Sequence, residues 1–214
     1  MVYKKIYLGI EFIVLFFGVP LFLLFYRNLM LPSTVLLPVL VFIFFLLHKN
    51  PRFKWKELFY WNINKSLYIK YVKLIILAIL ALVGFVLIFI PGELFNLPKN
   101  NWKIWIAICF FYPVFSVFTQ EIIFRTFIFK RYVSLFNKPI YFILASGISF
   151  SFTHIFYYSH ISIITTFILG IYLASAYLKA KSVLFTSLIH GILGDVVFTI
   201  GMGQYFWLEM YKWL

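Results

Sequence analysis

Several polar side chains that could carry acid–base chemistry lie inside strongly apolar stretches of this sequence. They are Gln120, Glu121, Arg125, His154, His190 and Asp195. A charged group in the hydrocarbon layer costs about 3 kcal/mol on insertion scales, so such groups usually pair, line a cavity or take part in function. A carboxylate with one or two imidazoles is sufficient to activate a water molecule and to stabilise an oxyanion.

Glu121 and Arg125 stand four residues apart, which places them on one face of a helix. One interpretation is structural: the pair neutralises itself and so lowers the cost of inserting the helix. The functional interpretation is that Arg125 fixes the orientation and the charge of Glu121. Gln120 points about 100° around the helix from Glu121, so the two side chains are expected to face different surroundings.

The two histidines are expected at different depths. Glu121 and His190 each lie nine residues from the lysine at the inner end of their span, whereas a straight helix places His154 about 10 Å farther out. A tilted helix, or a later start of that span, would close the gap. Asp195 is expected either to orient a histidine as an outer hydrogen-bond acceptor or to serve as a structural acceptor.

The elements that must position these groups are membrane spans. The chain has 214 residues, of which 64% are hydrophobic, and its mean hydropathy is +1.00, whereas soluble domains are about 45–50% apolar. A span needs about 20 apolar residues. The sequence therefore predicts an all-α polytopic membrane protein with seven spans, at residues 7–26, 31–47, 71–91, 103–128, 139–156, 160–178 and 182–203.

The basic residues predict the orientation of these spans. Fourteen of the 19 Lys and Arg residues fall in the segments on one side, and four, including Arg27 and Lys212, on the other. The positive-inside rule then places the N-terminus in the cytoplasm. An eighth span results if a long segment is broken or if the C-terminal segment re-enters. The net charge of +13 follows from these loops, so no nucleic-acid partner is expected.

Three regions follow from this division. Residues 1–102 form N-terminal spans with a basic, aromatic linker suited to the inner leaflet, residues 103–205 carry the polar groups, and residues 206–214 form an interfacial tail. Glu11 is expected to be interfacial or structural, and His48 and His160 to be surface groups. Because Cys109 is the only cysteine, an intrachain disulfide is excluded. No HExxH pair and no Gly-x-Ser-x-Gly elbow is present.

Three motifs, in order, resemble the CPBP family of CAAX proteases and bacteriocin-processing intramembrane enzymes, which are related to type II CAAX prenyl endopeptidases. They read Gln120-Glu121-Ile122-Ile123-Phe124-Arg125, Phe150-Ser151-Phe152-Thr153-His154, and His190-Gly191-Ile192-Leu193-Gly194-Asp195. The resemblance covers roughly residues 103–205. Two positions depart from the family pattern: Gln120 stands in place of the first glutamate, and Gly194 stands where an amide residue is expected.

The resemblance implies an intramembrane endopeptidase that hydrolyses a peptide bond in a membrane-associated peptide or protein. It implies that Glu121 and His154 activate water, that His190 faces the oxyanion, and that Arg125 braces Glu121. Gln120 would hold a water molecule or the substrate backbone, and Phe150 and Asp195 would contact substrate. No cofactor is required by this scheme, although zinc held by His154 and His190 is an alternative. The short loops and compact size favour a bacterial cytoplasmic membrane by analogy.

Two other functions stay open at this level. One is a non-proteolytic relative in which the same cavity binds a peptide or lipid, in a regulatory or bacteriocin-immunity role. The other is a small transporter with Glu121 and the histidines as a proton relay. The lack of an internal repeat argues against a transporter.

Overall fold

The protein is built from helices that follow the predicted spans in number and order. The computed structural model describes residues 2–26, 32–61 and 63–206, and within these ranges it contains no strand. We number the seven long helices α1 to α7. Their bounds are Tyr3–Tyr26, Pro32–His48, Lys65–Phe89, Trp102–Arg131, Pro139–Phe152, His160–Ala180 and Val183–Thr199.

Five of these helices are long and apolar enough to cross a membrane: α1, α3, α4, α6, and α5 with the short turn that extends it to Tyr157. Helices α2 and α7 are apolar but shorter. Helix α3 begins six residues earlier than predicted, because the side chain of Asn64 accepts a hydrogen bond from the backbone N–H of Leu67 and caps the helix. Helix α7 ends at Thr199 rather than at residue 203, and Gly201 follows with a φ of +97°.

The predicted inner segments meet at one end of the bundle. Lys130, at the end of α4, donates from Nζ to Glu57 Oε2 at 2.6 Å and to the backbone oxygen of Arg52 at 2.9 Å. Ser182, before α7, donates to the backbone oxygen of Tyr60. The basic linker is thus fastened to two other predicted inner segments. The predictions for Arg27, for Lys212 and for residues 207–214 of the re-entering C-terminal segment (205–214) lie outside the described residues.

Helix α1 is joined to α4 by a polar contact at the same end. Arg131 donates from Nε and Nη2 to the two carboxylate oxygens of Glu11, at 2.9 and 2.7 Å, and Tyr132 donates its hydroxyl to Glu11 Oε1 at 3.0 Å. Paired, fork-like contacts of this kind are strong and fix geometry. Glu11 therefore has the structural role that was one of its two expected roles. His48 and His160 are exposed, as predicted.

Helices α5 and α6 form the tight hairpin that their short connection predicts. Gly147 of α5 lies against α6, where a Cβ would stand 2.5 Å from Ile171 Cδ1, and a Cβ on Gly170 would stand 2.9 Å from Gly147 Cα. Small residues at such crossings allow close helix contact inside membranes. This hairpin packs against α4 and α7 and holds His154 close to the polar groups of those helices.

Candidate active site

Helix α4 is distorted on both sides of its polar residues. The helix contains two π-helical segments, Tyr112–Val117 and Ile122–Phe127, separated by a single α-helical turn, Phe118–Glu121. Pro113 lies in the first segment, and its missing N–H interrupts the α-helical ladder there. Single π turns are frequent at functional sites, and here they set the directions in which Gln120 and Glu121 point.

Gln120 and Glu121 face different surroundings, as their positions on the helix predict. Gln120 lines an internal cavity, and its Nε2 donates to Ser116 Oγ at 2.8 Å. Glu121 is completely buried and is not one of the described residues that line this cavity. The carboxylate therefore does not reach the cavity directly.

Glu121 is connected to the cavity by its hydrogen bond with His190. The Nδ1 atom of His190 lies 2.9 Å from Glu121 Oε1. Because an ionised carboxylate only accepts hydrogen bonds, this contact assigns a proton to Nδ1 and leaves the lone pair of the neutral imidazole on Nε2. His190 lines the cavity. The resemblance pairs Glu121 with His154, whereas in the structure the direct contact is with His190.

Arg125 lies behind Glu121 and is fully buried. Its Nε stands 3.2 Å from Glu121 Oε2 in an ion pair that does not meet hydrogen-bond geometry. The Nη1 atom donates to Ser146 Oγ at 3.0 Å, and the guanidinium lies 5.0 Å from the centre of the Phe150 ring. The predicted Glu121–Arg125 pair is thus present, and contacts from α5 hold its arginine in place.

His154 comes to the same cavity from the end of α5. Its Nδ1 lies 2.7 Å from the backbone oxygen of Phe150, which can only accept, so the proton is on Nδ1 and Nε2 carries the lone pair. The Phe150 ring separates the two histidines, with centroid distances of 4.8 Å to His154 and 5.4 Å to His190. The gap in depth expected for a straight α5 is therefore closed.

The cavity has a volume of about 600 Å³ and is mostly apolar. Gln120, His154 and His190 lie on its wall, together with three residues that carry hydroxyls, Ser116, Tyr112 and Tyr157. The remaining wall comes mainly from α3 and α6. Leu77 of α3 and Ile168 of α6 line the cavity and are each 63% exposed, so the cavity opens sideways between these helices.

Asp195, a predicted substrate contact, is not among the described residues that line the cavity, and its Oδ1 is buried without a hydrogen-bond partner. A spacing of five residues places it about 140° around α7 from His190, which explains the difference. Phe150, the other predicted contact residue, does line the cavity.

Within the residues that the structure describes, no group of three or more His, Cys, Asp and Glu side chains comes together as a candidate metal site. Since both Nδ1 atoms are engaged, His154 and His190 would each offer Nε2. A zinc site on these two histidines stays a prediction.

Tyr112 is a cavity residue in contact with His190 that the motifs did not identify. Its hydroxyl lies 3.4 Å from His190 Nε2, and its ring packs edge-on against Phe198. The available signal was a Tyr-Pro pair inside an apolar span eight residues before Gln120. Such a pair marks a distorted turn but does not indicate which helix it contacts.

Comparison with known proteins gives one match. A family model described as type II CAAX prenyl endopeptidase Rce1-like matches residues 100–194. The matched region runs from the start of α4 to Gly194 and contains every polar cavity residue named above. No curated protein and no solved structure matches the chain. Residues 100–194 are therefore similar to the Rce1-like family of type II CAAX prenyl endopeptidases, in agreement with the resemblance of the three motifs.

Proposed function

We propose that this membrane protein is an intramembrane endopeptidase that hydrolyses a peptide bond in a membrane-associated substrate. The observation that carries the proposal is the His190 imidazole, which lies on the cavity wall and is held from behind by the buried Glu121 carboxylate. An imidazole oriented by a carboxylate is a recurring general base. The similarity of residues 100–194 to a peptidase family supports the same reaction class.

In this proposal His190 Nε2 accepts a proton from the attacking water. Glu121 stabilises the imidazolium that forms, and Arg125 keeps Glu121 ionised and fixed. Glu121 is therefore a positioning residue that acts through His190, rather than a base in contact with water. General-base catalysis of this type contributes about 10²–10⁴-fold to a rate.

Gln120 and His154 are proposed to place the water and the scissile carbonyl. The carboxamide of Gln120 can both donate and accept, and its Oε1 is buried without a protein partner. The Nε2 lone pair of His154 can accept a hydrogen bond from the attacking water. Both side chains lie on the cavity wall, so substrate is able to reach them without a rearrangement of the helices.

The sideways opening between α3 and α6 suits a substrate with a hydrophobic segment. Leu77, Ile164 and Ile168 are all more than half exposed and also line the cavity. A lipid-embedded peptide or a lipid-modified peptide could thus enter from the bilayer without crossing water. We propose the bacterial cytoplasmic membrane as the location, on the basis of the short loops and compact size of this chain.

The test is cleavage by purified protein in liposomes that contain a library of membrane peptides. His154→Gln and His190→Gln are expected to abolish cleavage that the wild type performs. His160→Gln is the matched control, because His160 is exposed and lies outside the described cavity lining. Cleavage that survives both of the first two changes contradicts the assigned site.

A second candidate is a non-proteolytic relative that binds a peptide or lipid in this cavity. It is favoured by one observation: the cavity wall carries the neutral Gln120 in a position where the family pattern has a glutamate. Saturable binding of membrane peptides by the wild type, with no cleavage of any of them, would support this candidate.

A further inference from the structure

Tyr112 occupies the position beside His190 from which a donor could reach the reacting carbonyl. Its hydroxyl lies 3.4 Å from His190 Nε2, and both residues line the cavity. Among the described residues, His190 is the one hydrogen-bond partner found for this hydroxyl. At 3.4 Å the contact is long and weak, so an incoming substrate can replace it at little cost.

The neighbouring helix α7 leaves space for the side chain of Tyr112. A Cβ at Gly194 would stand 2.5 Å from Tyr112 Cε1 and 2.7 Å from its hydroxyl oxygen. One turn earlier, a Cβ at Gly191 would stand 3.3 Å from Pro113 Cβ. The two glycines of α7 thus accept the π-helical turn of α4, and any side chain at 194 would displace the phenol.

Peptide hydrolysis at this position needs a hydrogen-bond donor for the carbonyl oxygen. When His190 Nε2 holds a proton, it can no longer accept one from Tyr112, and the phenol O–H is free to turn toward another acceptor. At that moment in hydrolysis, negative charge develops on the former carbonyl oxygen. A fixed hydroxyl in an apolar cavity stabilises such a charge more strongly than water does, because it needs no reorganisation.

We infer that Tyr112 is a catalytic residue whose hydroxyl donates a hydrogen bond to the oxyanion of the tetrahedral intermediate. The inference rests on the proposed peptidase function. In the first step the water oxygen bonds to the carbonyl carbon, its proton passes to His190 Nε2, and the C=O electron pair moves to oxygen. In the second step the electron pair on oxygen re-forms the C=O bond, the C–N bond breaks with its electrons going to nitrogen, and the proton on His190 passes to that leaving nitrogen. Tyr112 keeps its proton throughout.

The experiment compares wild type with Tyr112→Phe, using a membrane peptide that the wild type cleaves and a phosphinate analogue of that peptide. The phosphinate mimics the tetrahedral intermediate, and an uncleavable reduced-amide peptide serves as its ground-state counterpart. Tyr177→Phe is the matched control, because Tyr177 is buried, makes one 3.4 Å hydroxyl contact to Thr126 and lies outside the described cavity lining.

We expect Tyr112→Phe to lower kcat by about 10²–10³-fold, as the loss of one oxyanion donor does elsewhere, with KM changed little. Phosphinate affinity should fall by a similar factor while reduced-amide affinity is kept. Unchanged kcat and phosphinate affinity in Tyr112→Phe, with an active wild type, would overturn the inference and leave the proposed function intact. A wild type that neither cleaves nor prefers the phosphinate would overturn both.

Discussion

Replacing Glu121 with glutamine should separate the structural role of the buried ion pair from its role in catalysis. The change keeps the volume of the side chain and leaves an oxygen that can accept from His190 Nδ1. It removes the negative charge that stands 3.2 Å from Arg125 Nε in a fully buried environment. The guanidinium is then left without a counter-charge, with Ser146 and the Phe150 ring as its remaining contacts.

Removal of one partner from a buried ion pair typically costs 3–5 kcal/mol, about the value we expect for Glu121→Gln. Removal of both charges costs far less, because an apolar side chain of similar volume needs no counter-charge. The double variant Glu121→Gln/Arg125→Met should therefore regain most of the lost stability. Its activity should stay about 10²–10⁴-fold below the wild type, since His190 still lacks its carboxylate.

Equilibrium unfolding in mixed micelles measures the free energies of unfolding, and peptide cleavage measures the rates. Glu57→Gln is the control, because Glu57 forms an ion pair with Lys130 in which the side chains are 37% and 26% exposed. A pair that is exposed to this extent is worth at most about 1 kcal/mol. If Glu121→Gln is no less stable than Glu57→Gln, the reasoning about the buried pair is wrong. Full activity in the double variant would refute the role of Glu121 behind His190.

Three further outcomes are expected. Gly194→Ala should lower kcat much as Tyr112→Phe does, because its Cβ would displace the Tyr112 ring, and adding Tyr112→Phe to it should cost little more in steady-state kinetics. Arg131→Met should lower the free energy of unfolding by about 2 kcal/mol, since it leaves Glu11 almost buried without its strongest partner, and denaturation curves measure this. Dialysis against a chelator should leave the cleavage rate unchanged, because in the proposed scheme the His190 imidazole takes the proton of the attacking water and no metal takes part. A rate that falls with chelator and returns with zinc would contradict that expectation.

The sequence was sufficient to predict the helices and one of the contacts between their polar side chains. Apolar stretches of span length and the positions of the basic residues predict seven helices, and the structure has them in that order. The i, i+4 spacing predicts the Glu121–Arg125 pair. These features depend on short-range periodicity and on burial, both of which can be read from one segment at a time.

The partners that polar groups find on other helices could not be predicted in this way. The direction of Glu121 toward His190 depends on two π-helical segments and on how closely α7 approaches α4. Tyr112 and His190 are 78 residues apart in sequence. They come together because two glycines of α7 leave space for Tyr112 and Pro113 of α4. The contact of Glu11 with Arg131 spans 120 residues. Helix packing determines such contacts, and one sequence contains no direct record of it.

For the proposed peptidase, the sideways opening between α3 and α6 also determines which substrate concentration governs the reaction. A substrate that arrives through the bilayer diffuses in two dimensions, so its amount per unit of lipid sets the rate, rather than its amount per litre of buffer. Diluting a proteoliposome suspension with buffer would leave turnover unchanged, whereas adding pure lipid to the same membranes would slow it. A cell could then regulate this protein by changing the crowding of its membrane, without any ligand that binds to the protein.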